Sequence, residues 1–410
     1  MQEIAGGVCA PRGIRATSVH CGIRASRSKN DLTLILSDVR ATAAAVHTTN
    51  LVKGAPNTVT KAHLADGHAQ AVICNSGNAN TCNADGIEIA EGMAKLVEQQ
   101  FGVAAEDVIV GSTGVIGQPL SLEPIRRGIP ALATAIEAPG ADGAEGSALA
   151  VAGIMTTDTR PKEVAMEFAC GDVVCRLGGI CKGSGMIAPN MATMLGFLAT
   201  DAAISADMLQ AALSACVQDT FNMVSVDGDT STNDMVAIMA NGLAGNAEIT
   251  GPGADFDAFA EALDFACREL CRKIAGDGEG ATKLLQCEVT GAKDRANARI
   301  VAKSVINSSL LKAAMFGADA NWGRVLCAIG YSGAEVDVTK VAVSFVSAAG
   351  RIDVCENGAG IPFSEELAKA VLSQPEIHIL ITLGDGDAAA TAYGCDLTYE
   401  YVKINGDYRT

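Results

Sequence analysis

The segment Lys182–Leu195 reads Lys-Gly-Ser-Gly-Met-Ile-Ala-Pro-Asn-Met-Ala-Thr-Met-Leu. Its glycines and proline forbid a regular helix as far as Asn190, because glycine adds chain entropy and proline removes a backbone donor. From Met191 the chain turns apolar, with the single hydroxyl of Thr193 set among small and sulphur-bearing side chains. On the plainer reading this is a strand end in which Thr193 hydrogen-bonds its own backbone, as threonines in turns commonly do. On the sharper reading Thr193 is a nucleophile beside strained backbone, and Lys182 is the fixed cation of an anion pocket.

Other stretches carry polar groups on flexible backbone. Gly111–Gly117 (Gly-Ser-Thr-Gly-Val-Ile-Gly) follows an apolar run, so it is either a plain turn or a loop presenting an N–H and a hydroxyl to a developing oxyanion. Asn75–Asn80 likewise follows a buried strand, and is either a plain turn or a tight loop of the kind where ligands often bind. Glu279 stands between two glycines, as a turn carboxylate or a substrate contact. Val226–Asp234 holds three carboxylates, but its spacing lacks the twelfth-position glutamate of a helix–loop–helix calcium site, which argues against a metal.

The elements that must position these loops alternate along the chain. Apolar strands are expected at Leu32–Ser37, Ala41–Val46, Gln70–Asn75 and Asp107–Val110. Val164–Phe168 and Val173–Leu177 read as a strand pair leading to Lys182. Helical periodicity marks Asp85–Phe101, Leu122–Ile136 (broken by Pro130), Ala206–Phe221 capped by Ser205, and Phe256–Ile274. Beyond these come strand Lys283–Val289, helix Ala292–Asn307, strand Leu310–Phe316 and helix Asn321–Tyr331. Strands Val341–Phe345 and Arg351–Cys355 then precede helix Glu365–Val371, and Ile377–Leu383 takes Ala388–Tyr393 as its antiparallel partner. Strands and helices alternating in both halves argue for α/β layers rather than a bundle.

With 410 residues, 49% of them hydrophobic, the chain can bury one large core or two ordinary ones. A net charge of -17 argues against nucleic acid and anionic membrane surfaces as partners, since both call for a basic face. No apolar run reaches the length of a membrane span. The 14 cysteines are scattered singly, mostly in apolar runs, and neither Cys267/Cys271 nor Cys170/Cys175 has a zinc spacing with a histidine partner. Free buried thiols in a soluble, cytoplasmic protein are the expectation.

The Lys182–Leu195 motif resembles the self-cleavage signature of the ornithine acetyltransferase (glutamate N-acetyltransferase) family of arginine biosynthesis. Met155–Thr159 (Met-Thr-Thr-Asp-Thr), Gly278–Lys283 (Gly-Glu-Gly-Ala-Thr-Lys), Gly317–Arg324 and the terminal Lys403–Thr410 resemble that family too, in family order. The resemblance implies a layered, mixed-sheet α/β fold in two lobes. It implies a cut at Ala192–Thr193 giving an α chain, 1–192, and a β chain, 193–410, that stay associated as an α2β2 heterotetramer. It assigns the oxyanion hole to Thr113 and Gly114. Substrate contacts fall to Thr156 (or its neighbour Thr157), Lys182, Thr193, Glu279, Asn405 and Thr410. It implies no cofactor and no metal. One departure is Gly406, where the family usually has alanine.

The chemistry has to work without histidine: His20, His47, His63, His68 and His378 are scattered outside any triad spacing. A threonine hydroxyl needs a base, and at the start of a chain its own α-amine serves, with a pKa of about 7.7–8.0. A mid-chain Thr193 therefore makes sense if its Oγ attacks the Ala192 carbonyl, shifts the acyl group from N to O, and the ester hydrolyses. The mature Thr193 would then take acetyl from N-acetylornithine and pass it to glutamate in a ping-pong cycle. Acetyl-CoA is a second possible donor, as some family members use it, although no separate CoA-binding block is evident. Two other readings compete. A self-cleaving aminopeptidase of similar architecture would expose a new N-terminal serine, against Thr193. A nucleotide-binding regulatory protein needs Gly-x4-Gly-Lys-Ser/Thr, which neither glycine-rich loop supplies.

Overall fold

A computed structural model describes residues 1–26, 28–188 and 194–407. In chain order the first strands are β1 (Gln2–Glu3), β2 (Ile14–Val19), β3 (Leu32–His47), β4 (His68–Asn78) and β5 (Val108–Val115). They are followed by β6 (Lys162–Cys170), β7 (Val173–Lys182), β8 (Leu195–Thr200), β9 (Val224–Ser225) and β10 (Met235–Ala240). The last are β11 (Leu284–Ala292), β12 (Ala342–Ser347), β13 (Gly350–Glu356), β14 (Ala359–Gly360), β15 (Glu376–Thr382) and β16 (Ala388–Cys395).

Two mixed sheets result. The larger runs β1-β6-β7-β8-β10-β3-β4-β5 with β2 also paired to β3, and the smaller runs β14-β13-β12-β15-β11-β16-β9. In the larger sheet the β8–β10 and β4–β5 pairs are parallel. The expected β6–β7 pair is present and antiparallel. The α/β layered class is therefore as the sequence implied.

Side-chain alternation along β3 shows how the larger sheet is covered. Leu32, Leu34 and Leu36 join one cluster with α1 (Ala55–His63), α2 (Gly86–Phe101) and α3 (Leu122–Ile136). Ile35, Ala41 and Ala43 point the other way, into a cluster with α4 (Ala144–Ile154). Ala44 and Val46 pack with α5 (Ala206–Asp219) and α6 (Ala254–Gly276), and the same cluster includes Tyr393 and Cys395 of the smaller sheet. Helix α6 thus ties the sheets together. The smaller sheet has its own core with α7 (Arg295–Asn307), α8 (Ser309–Phe316), α9 (Trp322–Gly330) and α10 (Glu365–Leu372). A last helix, α11 (Tyr399–Asp407), carries Asn405 and Gly406; nothing lies near the space an alanine side chain would take at Gly406.

Several expectations are corrected. Leu310–Phe316 lies in helix α8, which Ser308 caps by accepting from Leu311 N–H, rather than in a strand. Ala388–Tyr393 belongs to β16, which pairs with β11; β11 lies between it and β15, so the two are not partners. Helix α3 continues through Pro130, which sits on its exposed side where water can satisfy the carbonyl left without a donor. Ser205 stands at the start of α5 but makes no side-chain cap bond. The cysteines are unpaired, 11 of the 14 are buried, and burial pushes several thiols, such as Cys74, up to about 12. No helix among the described residues is long and apolar enough to cross a membrane.

Candidate active site

Strand register brings the ends of the Lys182–Leu195 segment together. Lys182, the last residue of β7, stands opposite Leu195, the first of β8, so the two ends of the segment are held side by side. Next to it, Thr113 and Gly114 lie in the last residues of β5, where the backbone of β4 crowds in. Gly114 has φ +132°, and a Cβ there would lie 2.3 Å from the Gly77 carbonyl carbon. Only glycine fits this irregular point of the β4–β5 pairing.

One cavity of about 190 Å³ opens between these ends. Thr113, Gly114, Thr156, Thr157, Lys182, Glu279 and Asn405 all line it, together with Gly185, Ser231, Thr232 and Asn233. The described substrate-contact and oxyanion candidates therefore converge, although they come from five separate stretches of sequence. Thr156 and Thr157 both reach the cavity. Ala192, Thr193 and Thr410 lie outside the described residues. Lys182 is only 8% exposed, and among the described residues no carboxylate pairs with it. A buried cation left without an ion pair is a fixed attractor for an anionic ligand. Glu279 is held by Asn405, whose Nδ2 donates to Glu279 Oε2 at 2.8 Å. Gly185 makes room for that carboxylate, since a Cβ there would fall 2.4 Å from it.

The loops are fixed by a buried ionic network that sequence reading missed. Lys162 Nζ, with a fully buried side chain, donates to Asp158 Oδ1 at 2.7 Å and Asp277 Oδ2 at 2.6 Å. Asp158 Oδ1 also accepts from Gly183 N–H at 2.7 Å, and its Oδ2 accepts from Thr156 N–H at 3.0 Å. Asp277 Oδ2 accepts from Thr159 N–H at 3.0 Å. Ser184 Oγ donates to Asp277 O at 2.6 Å, and Glu279 N–H donates to Ser184 O at 3.0 Å. Burial by itself would raise the Asp158 carboxyl, but the ammonium groups of Lys182 and Lys162 and the bond from Gly183 hold it well below the carboxylate range. Burial likewise works against the Lys162 ammonium, and Asp158 and Asp277 outweigh it, raising its pKa.

The Val226–Asp234 carboxylates serve separate purposes. Asp227 accepts from Met186 N–H at 2.6 Å and Ile187 N–H at 2.8 Å, which steadies Met186 at the unusual φ of +56°. Asn233 donates to Ala79 O at 2.5 Å and Ser112 O at 3.0 Å, tying this loop to β5. The Asn75–Asn80 amides also turn inward: Asn75 Nδ2 donates to Asn78 O at 2.9 Å, and Ser112 Oγ donates to Asn75 Oδ1 at 2.6 Å. That loop shapes the wall of the cavity, and only Ala79 from it reaches the lining.

Breaking the network should be costly. Asp158→Asn leaves Lys162 without half its compensation and is expected to cost about 3–5 kcal/mol of stability. In the native protein the Asp158 pKa lies below its ordinary value of about 3.9. Its contribution is thus present above that value and lost as pH falls through the lower, folded-state value. Urea unfolding across pH 7 to 3 checks both points: acid should weaken the native protein, and Asp158→Asn should flatten that dependence. Equal stability of variant and native protein at pH 7 would mean that the network holds nothing in place.

Residues 15–410 match the ArgJ family. The arginine biosynthesis bifunctional protein ArgJ of Caldanaerobacter subterraneus is 48% identical over 411 residues, covering 100% of both chains. The crystal structure of the arginine biosynthesis bifunctional protein from Bacillus halodurans has 48% identity and a TM-score of 0.50, covering 53% of this chain and 100% of that one. The ornithine acetyltransferase of Mycobacterium tuberculosis, solved with ornithine, has 36% identity and a TM-score of 0.40, covering 46% and 96%. Full-length identity of this order, with the signature residues gathered around one cavity, places the chain in the ArgJ family.

Proposed function

We propose that this protein is a cytoplasmic acyltransferase of arginine biosynthesis that carries acetyl from N-acetylornithine to glutamate on Thr193, after cutting itself at Ala192–Thr193. Its relatives are named bifunctional, and we read the second activity as acetylation of glutamate from acetyl-CoA. The observation that carries the reading is the cavity itself. A buried cation with no ion pair among the described residues, Thr113 and Gly114 of β5 and a Glu279–Asn405 pair face one space at the end of β7.

Each residue has a role that its chemistry fits. Lys182 takes the α-carboxylate that N-acetylornithine and glutamate share. Glu279, steadied by Asn405, faces the side-chain ammonium of ornithine, with Thr410 as a further contact. Thr156 is a further polar contact from the cavity lining. Gly114 N–H and Thr113 stabilise the oxyanion formed when Thr193 Oγ attacks the acetyl carbonyl. The α-amine of Thr193 takes the hydroxyl proton and returns it to the leaving amine. The cavity is smaller than the roughly 300–1,000 Å³ of pockets for drug-sized ligands. It suits one amino acid derivative at a time, as donor and acceptor taking turns would require.

The sheet supports association of the two chains. Strands β8 and β10, both after Thr193, lie between β7 and β3, both before it. A cut at 192/193 therefore leaves one sheet woven from chains 1–192 and 193–410, which we propose pair as an α2β2 assembly. The Bacillus halodurans chain, matched in full by just over half of this one, is consistent with a β chain of this length.

Intact mass should show two fragments with the boundary between Ala192 and Thr193. Thr193→Ala should give a folded, uncut and inactive chain, and Thr193→Ser a slower one, since serine lacks the β-methyl that restricts the rotamer. A second fragment starting elsewhere, or full activity in Thr193→Ala, contradicts the assignment. Lys182→Met should raise KM for N-acetylornithine and for glutamate alike by about one to two decades, the value of a charge-assisted contact of about 1.5–3 kcal/mol. A change for one substrate only would remove Lys182 from the shared carboxylate site. Acetylglutamate formation with acetyl-CoA as sole donor tests the second activity, and its absence would leave only acetyl recycling.

A further inference from the structure

Beside the substrate cavity lies a smaller one of about 30 Å³, and it contains a carboxyl group that the transfer cycle does not use. Thr113, Lys182, Ser231, Asn233, Met194 and Asp234 line it. Asp234 is 2% exposed, and its Oδ2 is fully buried without a hydrogen-bond partner. Its own backbone is fixed: Thr48 N–H donates to Asp234 O at 2.9 Å. The next residue, Met235, donates its N–H to Met194 O at 2.9 Å and stands opposite Leu195 in the parallel β8–β10 pair. Asp234 is therefore anchored alongside Met194, the residue that follows Thr193 in the chain.

An unpartnered carboxylate in such a place would be costly, and a neutral carboxylic acid is far less so. Burial pushes the Asp234 carboxyl well above the carboxylate range, although Ser231 and the ammonium of Lys182 pull the other way. Lys182 is the charged group facing it from β7. On β3, His47 pairs with Met235 and is engaged by Asn57 at 2.9 Å. The interior thus stores a proton donor next to Met194.

We propose that Asp234 is the general acid of self-cleavage, protonating the Thr193 nitrogen as the Ala192–Thr193 amide breaks. This rests on the reading that the chain cuts itself. In the step, Thr193 Oγ forms a bond to the Ala192 carbonyl carbon and gives up its proton, and the C–N bond breaks with its electron pair going to nitrogen. Asp234 gives its proton to that nitrogen, and the resulting carboxylate takes the proton from Oγ, so the neutral acid is restored. Water then hydrolyses the ester. The amine is a poor leaving group unless it is protonated as it departs, which is why an acid is needed at this point and the mature α-amine cannot yet serve.

The test compares the cut fraction over time in purified full-length protein by denaturing gel and intact mass. Asp234→Asn keeps the shape and can donate a hydrogen bond but cannot give up the proton. It should fold with a melting temperature near native and cut slower by about 10²–10⁴-fold, the range for general acid–base catalysis. Asp234→Ala covers the case in which Asn disturbs the fold, because the enlarged cavity has room for formic acid. Formate should restore its cutting in a concentration-dependent way, and formamide of the same shape should not. Cutting at the native rate in Asp234→Asn, equal rescue by formamide, or no rescue by formate in folded Asp234→Ala would each overturn the proposal. A native chain that is never cut would instead overturn the self-cleavage reading on which it rests.

Discussion

The site depends on a lysine that never meets solvent. Lys162 sits at the start of β6, and its ammonium bridges Asp158 and Asp277. Asp158 fixes the backbone at Thr156 and Gly183, and Asp277 fixes Thr159 and Ser184, to which Glu279 is hydrogen-bonded. Three loops that would otherwise drift independently are thus referenced to one buried charge. Such a triad is weak evidence for net stability, because burying three charged groups costs several kcal/mol per ion before attraction offsets it. Its value is positional: each partner has one arrangement in which every charge is satisfied. The triad also keeps Asp158, a carboxylate that feels the Lys182 charge, committed to Lys162.

Around that frame, small residues set the distances. Gly114 passes where β4 leaves no space for a side chain, and Gly185 gives way to the Glu279 carboxylate. The Lys182–Leu195 pairing holds the end of β7 beside the start of β8. Asp227 holds two successive N–H groups at Met186 and Ile187. Any cut between β7 and β8 would leave both strands anchored in one sheet. A reaction that breaks the chain there need not disturb the architecture that uses the product.

Much of the cavity lining was legible from residue type and from the resemblance to a family. Thr113, Gly114, Lys182 and Glu279 stand in glycine-rich surroundings that read as loops, and Asn405 lies in a terminal block of characteristic sequence. The supporting charges were not legible. Lys162 opens an apolar strand, where a lysine ordinarily snorkels to water, and its partner Asp277 is 115 residues away. Asp234 reads as one of three carboxylates in a polar run, and nothing in that spacing separates it, buried, from Asp227, which holds the Met186 and Ile187 N–H groups. Leu310–Phe316 is a short apolar run of the kind whose periodicity cannot separate strand from helix; Ser308 as N-cap was the available signal. The β15–β16 pairing failed for a different reason. Strand β11, from nearly a hundred residues earlier, is inserted between them, and local sequence carries no record of such an insertion.

The central claim is that the acetyl group rests on Thr193 between donor and acceptor. Purified enzyme mixed with N-acetylornithine in the absence of glutamate, then quenched in acid and digested, tests it directly. The account predicts that the peptide beginning at Thr193 gains the mass of one acetyl group, and that adding glutamate before the quench removes it. Turnover with no acetyl on Thr193, or an acetyl group carried by any other residue, would contradict it.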